Sequence, residues 1–215
     1  SIAAVEKAMV GDQRVCLVAQ KDPEIMDPSL DQLYHIGTVS YIKQLVKMPG
    51  GIVRVMAEGQ ERAELLDLDS TEPSLMGEVL FTQEQEADVD GAAAEAMSRI
   101  LKEKLESYGH QHPKFAKEIL PGMMVCEDLE SLMLKMASDL PWDYRIRQAY
   151  LEEATLAGQY EVLLSNLIHE IEVSQIHREL QEKVKENIDK NQKDYILREQ
   201  LKVIREELGE DPLSD

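Results

Sequence analysis

At 215 residues the chain has room for one large or two small domains, and its 43% hydrophobic content excludes disorder as a default. A formal net charge of −19 excludes nucleic acid and anionic membrane as natural partners of this segment, because phosphate repels so acidic a chain. No apolar run approaches the ~20 residues of a bilayer span, no signal-peptide pattern opens the chain, and two cysteines make no disulfide framework, so a reducing, cytoplasmic setting is expected. The charge is uneven: residues 1–174 hold 15 Lys/Arg against 31 Asp/Glu, whereas residues 175–208 hold 8 of each. Opening at Ser1 and closing on Pro212-Leu213-Ser214-Asp215, both ends read as cuts in a longer protein.

In chain order, residues 1–10 make a short amphipathic helix with Ile2, Val5 and Met9 on one face, stopped by Gly11. Residues 14–19 are an apolar strand in which Cys16 reads as a buried thiol, and the Pro- and Asp-containing stretch 20–36 reads as a loop. A β-branched run, 37–47, leads into the turn Met48-Pro49-Gly50-Gly51 and a second strand, 52–58, which Gly59 is expected to break. Strands at 62–69 and 78–82 complete a meander suited to a small antiparallel barrel or sandwich.

The polar, acidic stretch 83–90 reads as a linker. The period then becomes helical: residues 92–108 place Ala96, Ile100, Leu101 and Leu105 on one face and end at Gly109. Pro113 opens a helix that runs to 120 and is stopped by Pro121-Gly122. Residues 127–139 turn Leu129, Leu132, Met133 and Met136 inward; after a break at 140–142, a helix follows at 143–153. Met123 and Met124 are expected in the same core.

Thr155 is placed to cap the last element. Between Gly158 and Gly209 there is neither Gly nor Pro, so residues 159–208 form one helix of ~75 Å, too long for a domain of this size to contain. Its apolar positions run Tyr160, Leu164, Leu167, Ile171, then Ile176, Leu180, Val184, Ile188, then Tyr195, Leu201, Ile204, Leu208. The outer ones, Ile188, Tyr195, Leu201, Ile204 and Leu208, are candidates for assembly with another subunit or a following domain. The expected fold is therefore α+β: a small antiparallel, barrel-like β domain (1–82), a linker (83–90), a helical bundle (91–155), the long helix (156–208) and the start of a further linker (209–215).

Catalytic constellations are missing: there is no P-loop, no G-x-G-x-x-G and no nucleophile motif. His110 and His112 read as a solvated loop rather than metal ligands, and His169 and His177 as surface positions. The carboxylates read as a solvated acidic surface. Met48, beside Pro49 at the hairpin turn, and Met76, in a loop, are hard to bury locally. Methionine adapts to varied apolar segments, so Met48, Pro49 and Met76 are candidates for contact with unfolded polypeptide, the alternative being ordinary core or packing between domains.

The stretch Lys193-Asp194-Tyr195-Ile196-Leu197-Arg198-Glu199-Gln200-Leu201-Lys202-Val203-Ile204-Arg205-Glu206-Glu207-Leu208-Gly209-Glu210 resembles the long-helix signature of Lon proteases. Val15-Cys16-Leu17-Val18-Ala19-Gln20-Lys21, Ile36-Gly37-Thr38-Val39, Lys47-Met48-Pro49-Gly50-Gly51 and Glu58-Gly59-Gln60-Glu61-Arg62-Ala63 are similar to the β domain of that family. The resemblance implies a cytoplasmic or organellar homo-oligomer, usually a hexamer, in which this region selects misfolded or tagged substrates and supports assembly. It further implies an ATPase module, with ATP and magnesium, and a Ser-Lys protease domain, both absent from this chain, so no catalytic residue carries over and no cofactor is expected in the chain itself. The family begins with a strand that this chain lacks, which implies a sheet edge covered by a neighbouring chain or frayed. A free-standing holdase or adaptor with a coiled-coil stalk is the competing expectation; a P-loop within ~150 residues beyond Asp215 separates the two.

Overall fold

The computed structural model describes residues 2–70, 73–82 and 88–208. The expected stop at Gly209, the linker at 209–215 and most of the 83–90 linker lie outside them.

Helix α1 (Ile2–Val10) closes where the Gly11 and Gln13 N–H groups both return to the Ala8 carbonyl, each at 2.9 Å. Strands β1 (Arg14–Leu17), β2 (Ile36–Lys47), β3 (Val53–Ser70) and β4 (Met76–Phe81) form one antiparallel sheet in the order β1-β2-β3-β4. The β2–β3 turn closes with Met48 N–H on the Ile52 carbonyl at 2.8 Å. Gly50 (φ +84°) and Gly51 (φ +78°) both sit at positive φ, where a side chain would be strained.

Gly59 does not break the chain into two strands as expected. β3 runs 18 residues straight through it. Val39 pairs with Glu61 and Ser40 with Gly59, leaving Gln60 as the extra residue of a bulge. A Cβ at Gly59 would lie 3.1 Å from Thr38 Cγ2, so glycine serves a close approach here rather than a stop. A second irregularity lies between Ile42 and Gln44. The bulge shows in burial: Gly37 and Val39 face inward, then Ser40 and Ile42, so the alternation resets at Val39/Ser40.

Seventeen rises of ~3.4 Å would carry a flat β3 ~58 Å from end to end. Yet adjacent residues of α1 reach both ends of the sheet: Glu6 pairs with Lys47 at 2.5 Å and Lys7 Nζ approaches Met76 Sδ at 3.7 Å. The sheet is therefore rolled, with α1 held between its ends. Its apolar core is small: Leu33, Val39, Ile42, Ala63 and Leu65. Cys16 is half-buried rather than enclosed, and that burial pushes its thiol pKa up.

The helical part comprises α2 (Gly91–Gln111), α3 (Pro113–Glu118), α4 (Leu120–Met124), α5 (Leu129–Asp139), α6 (Tyr144–Glu152) and α7 (Leu156–Glu207). Asp90, Asp128, Asp143 and Thr155 cap α2, α5, α6 and α7 through side-chain oxygens that accept backbone N–H groups. Two expected stops fail. α2 continues through Gly109, which is buried and closely approached, a Cβ there lying 3.2 Å from Leu120 Cδ2. Pro121-Gly122 lies inside α4 instead of ending a helix, since proline in a first turn removes no intrahelical bond. The inward face of α2 is Ala94, Met97, Leu101, Leu105 and Tyr108; Ala96 and Ile100 point outward.

The helical core joins Leu101, Leu105, Phe115, Met123, Leu129, Leu132, Met133, Met136, Leu140, Trp142, Tyr160, Leu163 and Leu167. Among the described residues, none of the β domain belongs to it. Polar contacts join the two parts instead: Gln148 Nε2 donates to the Ile36 carbonyl (2.9 Å), and Arg62 donates to the Glu152 and Glu153 carbonyls (2.8 Å each). α7 is the expected long helix, 52 residues or ~78 Å. No helix among the described residues is long and apolar enough to cross a membrane.

Candidate functional site: an apolar hairpin face and a bare helical stripe

Residues paired directly across an antiparallel ladder share a face. The pairs Gln44↔Met56 and Val46↔Arg54, extended through Met48 and Ile52, therefore define one face of the β2–β3 hairpin. Leu45↔Val55 and Lys47↔Val53 define the other. Lys47 reaches Glu6 of α1, so that second face turns toward α1 and the first turns away. On the outer face Val46, Met48, Ile52 and Met56 are between 39% and 62% exposed, although all four are apolar. Arg54 lies among them and the Lys43–Glu58 ion pair (2.9 Å) lies beside them.

Met48 sits in this patch and Pro49 is exposed at its tip. Met76 is the first residue of β4 and not part of a loop; it is exposed at the opposite end of the sheet, against Lys7. The three residues do not converge on one pocket. Sequence reasoning missed Val46, Ile52 and Met56, although the signal was present: once the turn is fixed at 48–51, positions 46, 48, 52, 54 and 56 must share a face.

The second exposed apolar surface is the outer part of α7. Its root is anchored by Tyr160, Leu163 and Leu167 in the helical core, with Leu164 and Ile171 packed against it. From Val173 onward no apolar residue of the helix is buried: Ile188, Tyr195, Leu201, Ile204 and Leu208 are between 51% and 71% exposed. Ile176, Leu180, Val184 and Ile188 recur every four residues, and each step of four overshoots a full turn by ~40°, so this part of the stripe winds around the helix. Leu197, Leu201, Ile204 and Leu208 follow a 4-3-4 spacing that keeps to one side, as in a coiled-coil seam.

The histidines hold no metal cluster among the described residues. His110 is exposed, but His112 is not a solvated loop residue. Its ring stacks on Tyr108 with centroids 4.0 Å apart, and Nε2 lies 3.1 Å from Ser174 Oγ on α7. It helps hold the long helix where that helix leaves the bundle. Burial also pushes the Tyr108 hydroxyl pKa up, with Glu170 adding to the effect.

Residues 1–169 match the family described as the ATP-dependent protease La (LON) substrate-binding domain. The Lon protease of Lachnoclostridium phytofermentans is 42% identical over 210 residues, covering 98% of this chain and 26% of that protein. The Lon protease of Heliobacterium modesticaldum is 35% identical over the same share of this chain, again 26% of its own length. The chain thus spans about a quarter of the curated relatives it matches. Among solved structures, the N-terminal domain of Mycobacterium avium complex Lon protease superposes with a TM-score of 0.56 at 20% identity, covering 77% of this chain and 83% of that one, which establishes the shared fold. With a rolled four-stranded sheet, a helical core and a 52-residue helix in that order, and the family match running from Ser1 to His169, the chain belongs to the Lon protease family and carries its substrate-binding domain.

Proposed function

We propose that this chain captures exposed apolar segments of unfolded or misfolded protein for a cytoplasmic ATP-dependent serine protease, whose ATPase module, with its ATP and magnesium, and whose protease domain lie in the part of its relatives that this chain does not span. The observation that supports this reading is the outer hairpin face, where Val46, Met48, Ile52 and Met56 stand exposed on a regular strand pair. Ordinary strands alternate apolar and polar residues so that the outer face is polar. Here the outer face is apolar too, and extended apolar polypeptide is what it suits. Pro49 rims the patch, and Met76 offers a separate, smaller contact at the far end of the sheet.

One such face is small and its affinity for any single segment low. Assembly into a homo-oligomer, a hexamer on the family pattern, multiplies it by effective concentration. The exposed positions Ile188, Tyr195, Leu201, Ile204 and Leu208 are the surface through which α7 reaches sister subunits or the motor.

The test is binding of a reduced, carboxymethylated, permanently unfolded protein, read by fluorescence anisotropy. Ile52→Asp with Met56→Asp should weaken binding at least about tenfold, since each apolar side chain withdrawn from contact carries about 1.5 kcal/mol or more and 1.4 kcal/mol is a factor of ten. The far-UV spectrum should not change. Equal affinity of wild type and variant would overturn the assignment, as would ATP or peptide hydrolysis by the purified chain.

A further inference from the structure

Among the described residues, the hydrogen bonds that join the β domain to the end of α6 use charges and backbone groups, and no buried apolar residue of the β domain enters the helical core. Arg62 on β3 spreads its guanidinium over the last two carbonyls of the α6 end, with Nη2 on Glu152 and Nη1 on Glu153, each at 2.8 Å. These carbonyls carry the negative end of the helix dipole, and the planar two-pronged donor matches them. On the other side of the α6–α7 connector, Asp88 accepts from the first two amides of α7, Leu156 N–H at 3.1 Å and Ala157 N–H at 3.2 Å. The connector between Glu152 and Leu156 is thus gripped from the β sheet on one side and from the chain leaving the sheet on the other. Gln148, donating to the Ile36 carbonyl, is buried at this joint, as is the Nε of Arg62, and Tyr144 adds one hydroxyl contact to the Lys21 carbonyl at 3.2 Å. An interface without an apolar centre is one across which domains move by default.

We infer that Arg62 and Asp88 form a releasable latch that fixes the direction in which the β domain points relative to α7. With the latch closed, the hairpin face is held at one angle to the long helix. With it open, the small polar interface that remains leaves the β domain free to re-aim that face. The latch does not depend on what the hairpin binds, so its test and the binding test above fail separately.

The experiment is a pulsed electron–electron distance measurement on the full chain. Nitroxides are attached through Arg54→Cys on the hairpin and Lys185→Cys on α7, with Cys16→Ser and Cys126→Ser removing the native thiols. The closed latch gives one narrow distance distribution. Arg62→Ala with Asp88→Asn should at least double its width, with far-UV signal and helical-core melting unchanged. Arg62→Lys decides the matter if the first variant loses its strands. It keeps the charge but offers a point donor in place of a fork, so it should broaden the distribution as well. A distribution in Arg62→Lys as narrow as in the unsubstituted latch overturns the inference, and so does a broad distribution before either latch residue is changed.

Discussion

A pair of substitutions on α7 separates the anchored part of the helix from the bare part. Leu167 is fully buried in the helical core, whereas Ile188, 21 residues further along the same helix, is 55% exposed. Leu167→Ala removes the equivalent of about three methylenes from a fully enclosed site, about 2.4 kcal/mol at ~0.8 kcal/mol each. The cavity left behind raises the cost to about 3–4 kcal/mol. Ile188→Ala removes atoms that water already touches, and in a monomer its cost stays within about 0.5 kcal/mol. Urea unfolding followed at 222 nm measures both. The midpoint should fall steeply for Leu167→Ala and hardly move for Ile188→Ala at low protein concentration. A loss of 2 kcal/mol or more at Ile188 under dilution would refute the picture of a bare outer helix and require that its stripe be covered within the chain itself.

Two further outcomes follow from local geometry. A Cβ at Gly37 would stand 2.4 Å from the Leu17 carbonyl oxygen and 2.6 Å from Val18 Cγ1, so Gly37→Ala must force β1 off β2. Overpacking against backbone costs about 1–3 kcal/mol and should appear in β-domain unfolding, while Gly91→Ala, with open space around it, should be neutral; equal melting of the two variants would show the contact to be soft. Asp128 caps α5 by accepting from Ser131 N–H (2.6 Å) and Ser131 Oγ (2.8 Å), and these bonds hold its carboxyl below the ordinary 3.8. A depressed carboxylate adds stability that is present above the unfolded pKa and lost as pH falls through the folded one. Thermal midpoints taken from pH 6 to pH 2.5 should therefore drop more steeply in wild type than in Asp128→Asn, which caps without titrating, and parallel curves would exclude the cap as an acid-sensitive element.

How much of this was legible depends on which physical signal carried each feature. The long helix was plain because fifty residues without Gly or Pro leave few alternatives, and Thr155 announced its start. The inward face of α5 was equally plain because Leu129, Leu132, Met133 and Met136 repeat at helical spacing. Glycine misled three times. Gly59 reads as a break in one dimension but serves a bulge, Gly109 reads as a stop but is needed for close packing on Leu120, and Gly122 is carried within α4. In each case the deciding neighbour, Thr38, Leu120 or Lys135, lies on another turn or strand, where local reading does not reach. The sequence points Ala96 and Ile100 inward for a related reason. Their spacing fits a helix face, but the partner surface of α4, α5 and α7 selects Met97, Leu101, Leu105 and Tyr108 instead. His112 escaped because its partner Ser174 lies 62 residues away.

The uneven distribution of buried apolar residues ties these observations together. Among the described residues, the buried apolar side chains of the β domain are Leu33, Val39, Ile42, Ala63 and Leu65, while Val46, Met48, Ile52 and Met56 stay outside on one hairpin face. Moving them inward would gain burial energy, but the ladder register forbids it, since a one-residue slip would turn out the half-buried Leu45 and Val53 in exchange. The exposure is therefore built into the pairing and is not a local loosening. An exposed apolar strand pair invites edge-on aggregation, and Arg54 within the patch with the Lys43–Glu58 pair at its side are the charges that counter it. These charges block neither face-on approach nor the apolar side chains themselves. On the function proposed above, a surface so arranged suits transient, low-affinity contact with extended polypeptide.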